Sequence, residues 1–164
     1  MSQPVPPPGN PFAQGTEQPF EQPPLAPAPP ARSNVGLGLV VALVAALVAA
    51  GVYGGIAGAI EREIGWAAVG VGFLVGFAAG KAGGRNPALP VVSAVLSLGA
   101  VYVGQLLTIA IIGAKELDVS VTTILFDHLD VVQAAWKEEL DPLTFLFFAL
   151  AAFAAFSGSK KAAQ

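Results

Sequence analysis

The chain of 164 residues has no cysteine, one histidine and one methionine. Without cysteine, disulfides, thiolate chemistry and cysteine-ligated zinc are excluded. A single histidine, His128, leaves no histidine metal centre within one chain, and no Gly-x-Ser-x-Gly or His-Glu-x-x-His segment occurs. Charge is scarce as well. Only 12% of residues are Asp, Glu, Lys or Arg, against about 25% in soluble domains. The net charge of −3 offers no basic face for a nucleic acid. The most informative gap lies inside the apolar runs, where no Asp, Glu, Lys, Arg or His occurs. Ion-coupled transporters and proton pumps generally place such groups at membrane depth, so a proton-driven porter is disfavoured. No catalytic, metal-ligating or cofactor-binding residue is assigned.

What remains is strongly apolar, 54% of the chain, and it falls into four runs. Val35 to Ile60 is an unbroken stretch of 26 uncharged residues. As a helix it would reach about 39 Å, enough to cross about 30 Å of hydrocarbon with tilt. The charged turn Glu61-Arg62-Glu63 follows. Residues 64–80 form a shorter, glycine-rich second span that begins near Trp66, an indole suited to the membrane interface. A basic turn from Lys81 to Pro87 leads to a third span over 89–114, with Pro90 in its first turn. Asp141-Pro142 reads as an N-cap and N1 proline opening a fourth span over 142–158. That last run reaches only about 26 Å, which makes a tilted or re-entrant segment the alternative to a short crossing. The fold class expected is an all-α integral membrane protein of four transmembrane helices.

Residues 115–140 differ, being rich in both charge and apolar side chains. Leu125, Leu129, Val132, Trp136 and Leu140 recur at helical spacing, predicting one amphipathic helix over 118–140, on the membrane surface or capping the bundle. Asp118 or Ser120 would cap its start. Residues 1–34 carry 11 of the 14 prolines and almost no aliphatic side chains. Such a segment buries too little to offset its ordering entropy, predicting a disordered Pro-rich tail. Pro-x-x-Pro spacings (Pro4/Pro7, Pro8/Pro11, Pro24/Pro27, Pro27/Pro30) and the repeated Pro-Phe of Pro11-Phe12 and Pro19-Phe20 make it a candidate site for soluble partners. Residues 159–164 read as a short basic C-terminal tail.

Small residues recur every fourth position in the spans. Ala42, Ala46, Ala50, Gly54 and Gly58 mark the first span, and Ala68, Gly72, Gly76, Gly80 and Gly84 the second. Ala100, Gly104 and Thr108 mark the third. Residues four apart share a helix face, and a face of Ala and Gly lets another backbone approach closely. With only Glu61-Arg62-Glu63 between the first two ridges, the expected use is closure of that hairpin. Ser93, Ser97, Tyr102 and Gln105 are the polar members of the third span, expected to bond neighbouring helices or, in an oligomer, to line a polar path. Asp127, His128 and Asp130 sit together, but adjacent helical residues diverge by about 100°, so a solvated face is expected rather than a cation site. Glu138, Glu139 and Asp141 likewise read as surface acids.

The second helix, Ile64-Gly65-Trp66-Ala67-Ala68-Val69-Gly70-Val71-Gly72 followed by Gly76, resembles a pattern in small uncharacterised four-helix bacterial membrane proteins. The resemblance covers Val35 onward, best at 53–80. It implies a four-helix membrane part preceded by a variable head, here the Pro-rich tail, and it brings no catalytic residue. With the tail inside, Arg32, Lys81, Arg85, Lys160 and Lys161 would face the cytoplasm, and Arg62, Lys115 and Lys137 the far side. That satisfies the positive-inside rule for a multi-pass protein of the plasma (inner) membrane with both termini cytoplasmic. The function expected is a non-enzymatic scaffold or anchor. Its partners would be the bilayer, a second copy or another membrane protein, and soluble proteins at the tail. The alternative is an oligomeric channel or permease for a neutral solute.

Overall fold

A computed structural model describes residues 33–164; the tail's Pro-x-x-Pro and Pro-Phe motifs and Arg32 lie outside the described residues. Helix α1 spans Val35–Ile60, α2 Gly65–Gly83, α3 Ala88–Leu117, α4 Val121–Asp127, α5 Leu129–Glu138 and α6 Pro142–Ala162. Four of them, α1, α2, α3 and α6, are long and apolar enough to cross a membrane.

Local chemistry sets the helix ends. Asn34 opens α1, its side-chain oxygen accepting from Leu37 N at 3.1 Å. Asp141 opens α6, accepting from Thr144 N at 2.6 Å and from the Thr144 hydroxyl at 2.7 Å, with Pro142 at the first helical position. Helices α1 and α3 both stop on a left-handed acidic residue, Glu61 (φ 55°) and Asp118 (φ 53°). A non-glycine residue there is uncommon, although aspartate tolerates it better than most. At Glu61 the neighbouring helix supplies support. Lys115 Nζ, in the last turn of α3, donates to the Gly58 and Ala59 carbonyls at 3.0 and 3.2 Å and pairs with Glu61 at 3.2 Å. It thereby satisfies carbonyls that the end of α1 leaves open.

Several boundaries shift from expectation. Helix α6 continues through Lys160 and Lys161 to Ala162, so the supposed basic tail is mostly helical and the span lengthens to about 31 Å. The expected amphipathic helix over 118–140 is two helices. Asp118 closes α3, Ser120 caps α4 by accepting from Thr123 N at 3.2 Å, and the chain breaks at His128 (φ −129°). The break rotates the apolar stripe: Ile124 and Val132 are buried, while Leu129, on the expected stripe, is 40% exposed.

The four long helices alternate in direction. Asn34 N donates to Gly83 O at 3.1 Å, and Arg85 donates to the Ala163 and Gln164 carbonyls at 3.2 and 3.4 Å. The start of α1, the α2–α3 turn and the end of α6 therefore share one end. The α1–α2 turn, the end of α3 and the start of α6 share the other.

The interior is small and the exterior large. Ala42, Ala57, Val75, Ala79, Val101, Ala110, Ala151 and Ala155 are fully buried, whereas Leu43, Leu47, Val52, Ile56, Leu74, Val95 and Phe153 point outward. In water so extensive an apolar surface would drive association; a hydrocarbon solvent accepts it, and helices then associate by close packing.

Candidate functional site

All but one of the expected ridge residues are buried: Ala42, Ala46, Ala50, Gly54 and Gly58 on α1, Ala68, Gly72, Gly76 and Gly80 on α2, Ala100, Gly104 and Thr108 on α3; Gly84 falls past the end of α2, as its C-cap, and is only half-buried. Their partners differ from expectation. A Cβ at Gly72, Gly76 or Gly80 would collide with the backbone of Ala151, Ala155 and Ser159 in turn, each on α6. A Cβ at Gly54 would collide with Gly104 O and Leu107 on α3, and one at Gly58 with Ile111. The ridges therefore do not close the α1–α2 hairpin. They join the parallel pairs α2/α6 and α1/α3, which are also the most extensive helix contacts. Gly38 and Gly83 provide the close approach between α1 and α2 at the end carrying Asn34. The sequence reading missed the α6 half of the device, although Ala151, Ala155 and Ser159 repeat the same spacing of four.

Three of the polar residues of α3, Ser97, Tyr102 and Gln105, meet neighbouring helices. Ser97 Oγ donates to Ala94 O at 2.8 Å and reaches Ala151 O at 3.5 Å. Ser93 Oγ is buried without a hydrogen-bond partner among the described residues. Gln105 Oε1 accepts from Trp136 Nε1 at 2.8 Å, and the Trp136 ring meets the edge of Tyr102 at 4.8 Å and 85°. This indole is the rivet that holds α5 on α3. Leu106 and Ala110 of α3 pack in one cluster with Ile124 of α4 and Val132 of α5.

A cleft of about 690 Å³ opens at the end of the molecule bearing the α1–α2 turn. Its walls are aliphatic: Ile109, Ile112 and Leu117 from α3, Ile124 from α4, Val131 and Val132 from α5. Its polar groups are mostly acids, Glu61, Glu63, Glu116 and Glu139, with Arg62 and His128. Asp127 and Asp130 are exposed and do not line it. The Thr108 hydroxyl at the cleft donates to Gly104 O of its own helix at 3.0 Å and reaches Gly54 O of α1 at 3.5 Å. Glu63 and Glu139, read from the sequence as turn and surface charges, come together only because α5 folds back over α3.

Glu63 also lines a smaller polar cavity of about 150 Å³ with Tyr53, Gln105, Asp141 and Thr144. Partial burial, then the negative charges of Glu139 and Asp141, hold the Glu63 carboxyl above its ordinary range, even though the residue as a whole is exposed. Asp141 shifts the other way: the hydroxyl and backbone N–H of Thr144 hold its carboxyl below the usual range.

Compared with known proteins, the chain matches no family model, no curated protein and no solved structure.

Proposed function

We propose that the protein is a non-enzymatic membrane anchor or scaffold: a self-contained four-helix bundle that carries its Pro-rich N-terminal segment and its C-terminus on one side of the membrane. The observation that supports this reading best is the internal use of the small-residue ridges. Gly54 and Gly58 are filled by α3, and Gly72, Gly76 and Gly80 by α6, so the bundle is complete within one chain. What it turns outward is large and apolar, the surface that lipid solvates.

The basic residues favour one orientation. Lys81, Arg85, Lys160 and Lys161 gather at the end where α1 starts and α6 finishes, while the opposite end carries the acids of the cleft. By the positive-inside rule, both termini lie in the cytoplasm of a cell whose plasma membrane holds the protein. The N-terminal segment then meets soluble proteins, its Pro-x-x-Pro and Pro-Phe repeats serving as docking motifs.

Deleting residues 1–30 tests the recruiting role. The truncated protein inserts as before and no longer retains soluble partners in a pull-down from cytoplasm. Retention of the same partners after the deletion refutes it.

A further inference from the structure

We propose that the cleft between the α1–α2 turn, the end of α3 and the α4–α5 pair binds an amphipathic organic cation, a compact apolar body carrying one positive charge. Three features converge on that chemistry. The volume, about 690 Å³, lies within the range of small-molecule pockets, about 300–1,000 Å³. The walls are branched aliphatic side chains from three helices, which reward an apolar body and offer nothing to a hydrated metal ion.

The rim is acidic beyond its internal compensation. Lys115 pairs with Glu61 at 3.2 Å; the other three acids of the lining, Glu63, Glu116 and Glu139, share it with one fixed cation, Arg62, so the described lining keeps a net negative charge. Acids held beside an apolar wall favour a ligand that brings positive charge without a tight hydration shell. Val131 and Leu117, 59% and 66% exposed, form an uncovered apolar lip against which such a body slides in. An anionic amphiphile of the same shape meets repulsion from the same rim. This inference does not rest on the anchoring reading and survives its failure.

The test uses the full chain in nanodiscs of zwitterionic phosphatidylcholine, with binding to empty nanodiscs subtracted. Tetraphenylphosphonium and tetraphenylborate serve as probes, because they share a shape and differ in the sign of their charge. Tetraphenylphosphonium is expected to bind saturably at one site per chain, and tetraphenylborate to show no saturable component. Glu63→Gln with Glu139→Gln weakens the cation by about ten-fold or more, whereas Glu138→Gln, outside the cleft, leaves it unchanged. Ile112→Trp fills the space and removes the saturable binding. Equal saturable binding of both probes marks the cleft as a lipid-chain slot and overturns the proposal. So does the absence of saturable cation binding to the unmodified protein, a comparison that needs no variant to fold. Undiminished cation binding in the doubly substituted protein overturns it as well.

Discussion

Replacing Gly76 by alanine isolates the packing that joins α2 to α6. The new Cβ would stand 2.6 Å from the carbonyl carbon of Ala155 and 2.7 Å from its Cα, where ordinary contact begins near 3.4 Å. The obstacle is backbone, so no rotamer change relieves it; the Ala155 carbonyl oxygen lies closer still, and the helices must part by more than roughly 0.8 Å, the shortfall at the carbonyl carbon alone. A gap of that size forfeits about a quarter to a half of each dispersion contact, itself about 0.1–0.2 kcal/mol. Summed over the many atom pairs of such a seam the loss reaches the usual cost of overpacking, about 1–3 kcal/mol. Alanine also gains up to about 1 kcal/mol of helix propensity over glycine, which blurs a single measurement. Gly70 on the same helix removes that ambiguity, because a Cβ there meets nothing within 4 Å. Gly70→Ala shares the propensity gain and lacks the clash. In sodium dodecyl sulfate titrations of the protein in mixed micelles, followed by tryptophan fluorescence, Gly76→Ala should therefore lie about 1–3 kcal/mol below Gly70→Ala. Equal stabilities, or an intact fold with loss of self-association alone, would show that Gly76 faces another chain.

The remaining expectations concern the open end of the bundle and its orientation. Trp136→Phe keeps the ring against Tyr102 but leaves the buried Gln105 (6% exposed) without its donor, at a cost of about 1–3 kcal/mol; limited proteolysis between Asp127 and Glu139 should accelerate, and an unchanged cleavage rate would mean that the indole N–H does not hold α5 down. Glu63 is held above the ordinary carboxylate range, so the folded chain keeps a proton that the unfolded chain has released, and stability falls as pH rises from the ordinary range through the raised value. Glu63→Gln lacks that loss, so its melting temperature should equal the parent's near about pH 4 and exceed it increasingly toward neutrality; a pH-independent difference contradicts the assignment. A reporter fused after Lys161 should be active only in its cytoplasmic form, and activity on the far side reverses the orientation.

The sequence carried the faces of the helices but not their partners. Periodicity in α1 and α2 marks which side of each helix is small, and each marked residue within the two helices is buried, Gly84 falling beyond the end of α2. The short turn Glu61-Arg62-Glu63 made the adjacent helix seem the natural partner. Proximity along the chain fixes an antiparallel neighbour, yet close approach needs complementary register as well. Ala151, Ala155 and Ser159 supply that register opposite Gly72, Gly76 and Gly80, each carbonyl oxygen lying where a Cβ on the facing glycine would stand. Such an arrangement admits Cα–H···O contacts worth about 0.5–1 kcal/mol each. The α6 repeat stands among five phenylalanines of the same run, so small residues do not dominate that helix as they do α2.

The cleft was illegible for a different reason. Its acids come from the α1–α2 turn, α3 and the end of α5, segments up to 78 residues apart between Glu61 and Glu139, and no spacing rule links them. What assembles them is the break at His128. A continuous helix over 118–140 would have carried Val132 and Trp136 straight on from Leu125, so that Trp136 reached Gln105 only if the whole segment lay along α3. With the chain turning between α4 and α5, Ile124 and Val132 both face the end of α3 while Glu139 swings toward Glu63. The opposing charges and their shared aliphatic wall are thus products of one local interruption. Restoring a continuous helix there, by alanine at His128, should weaken the Trp136–Gln105 contact and the acidic rim together; loss of one with full retention of the other would separate the two features that the break now explains jointly.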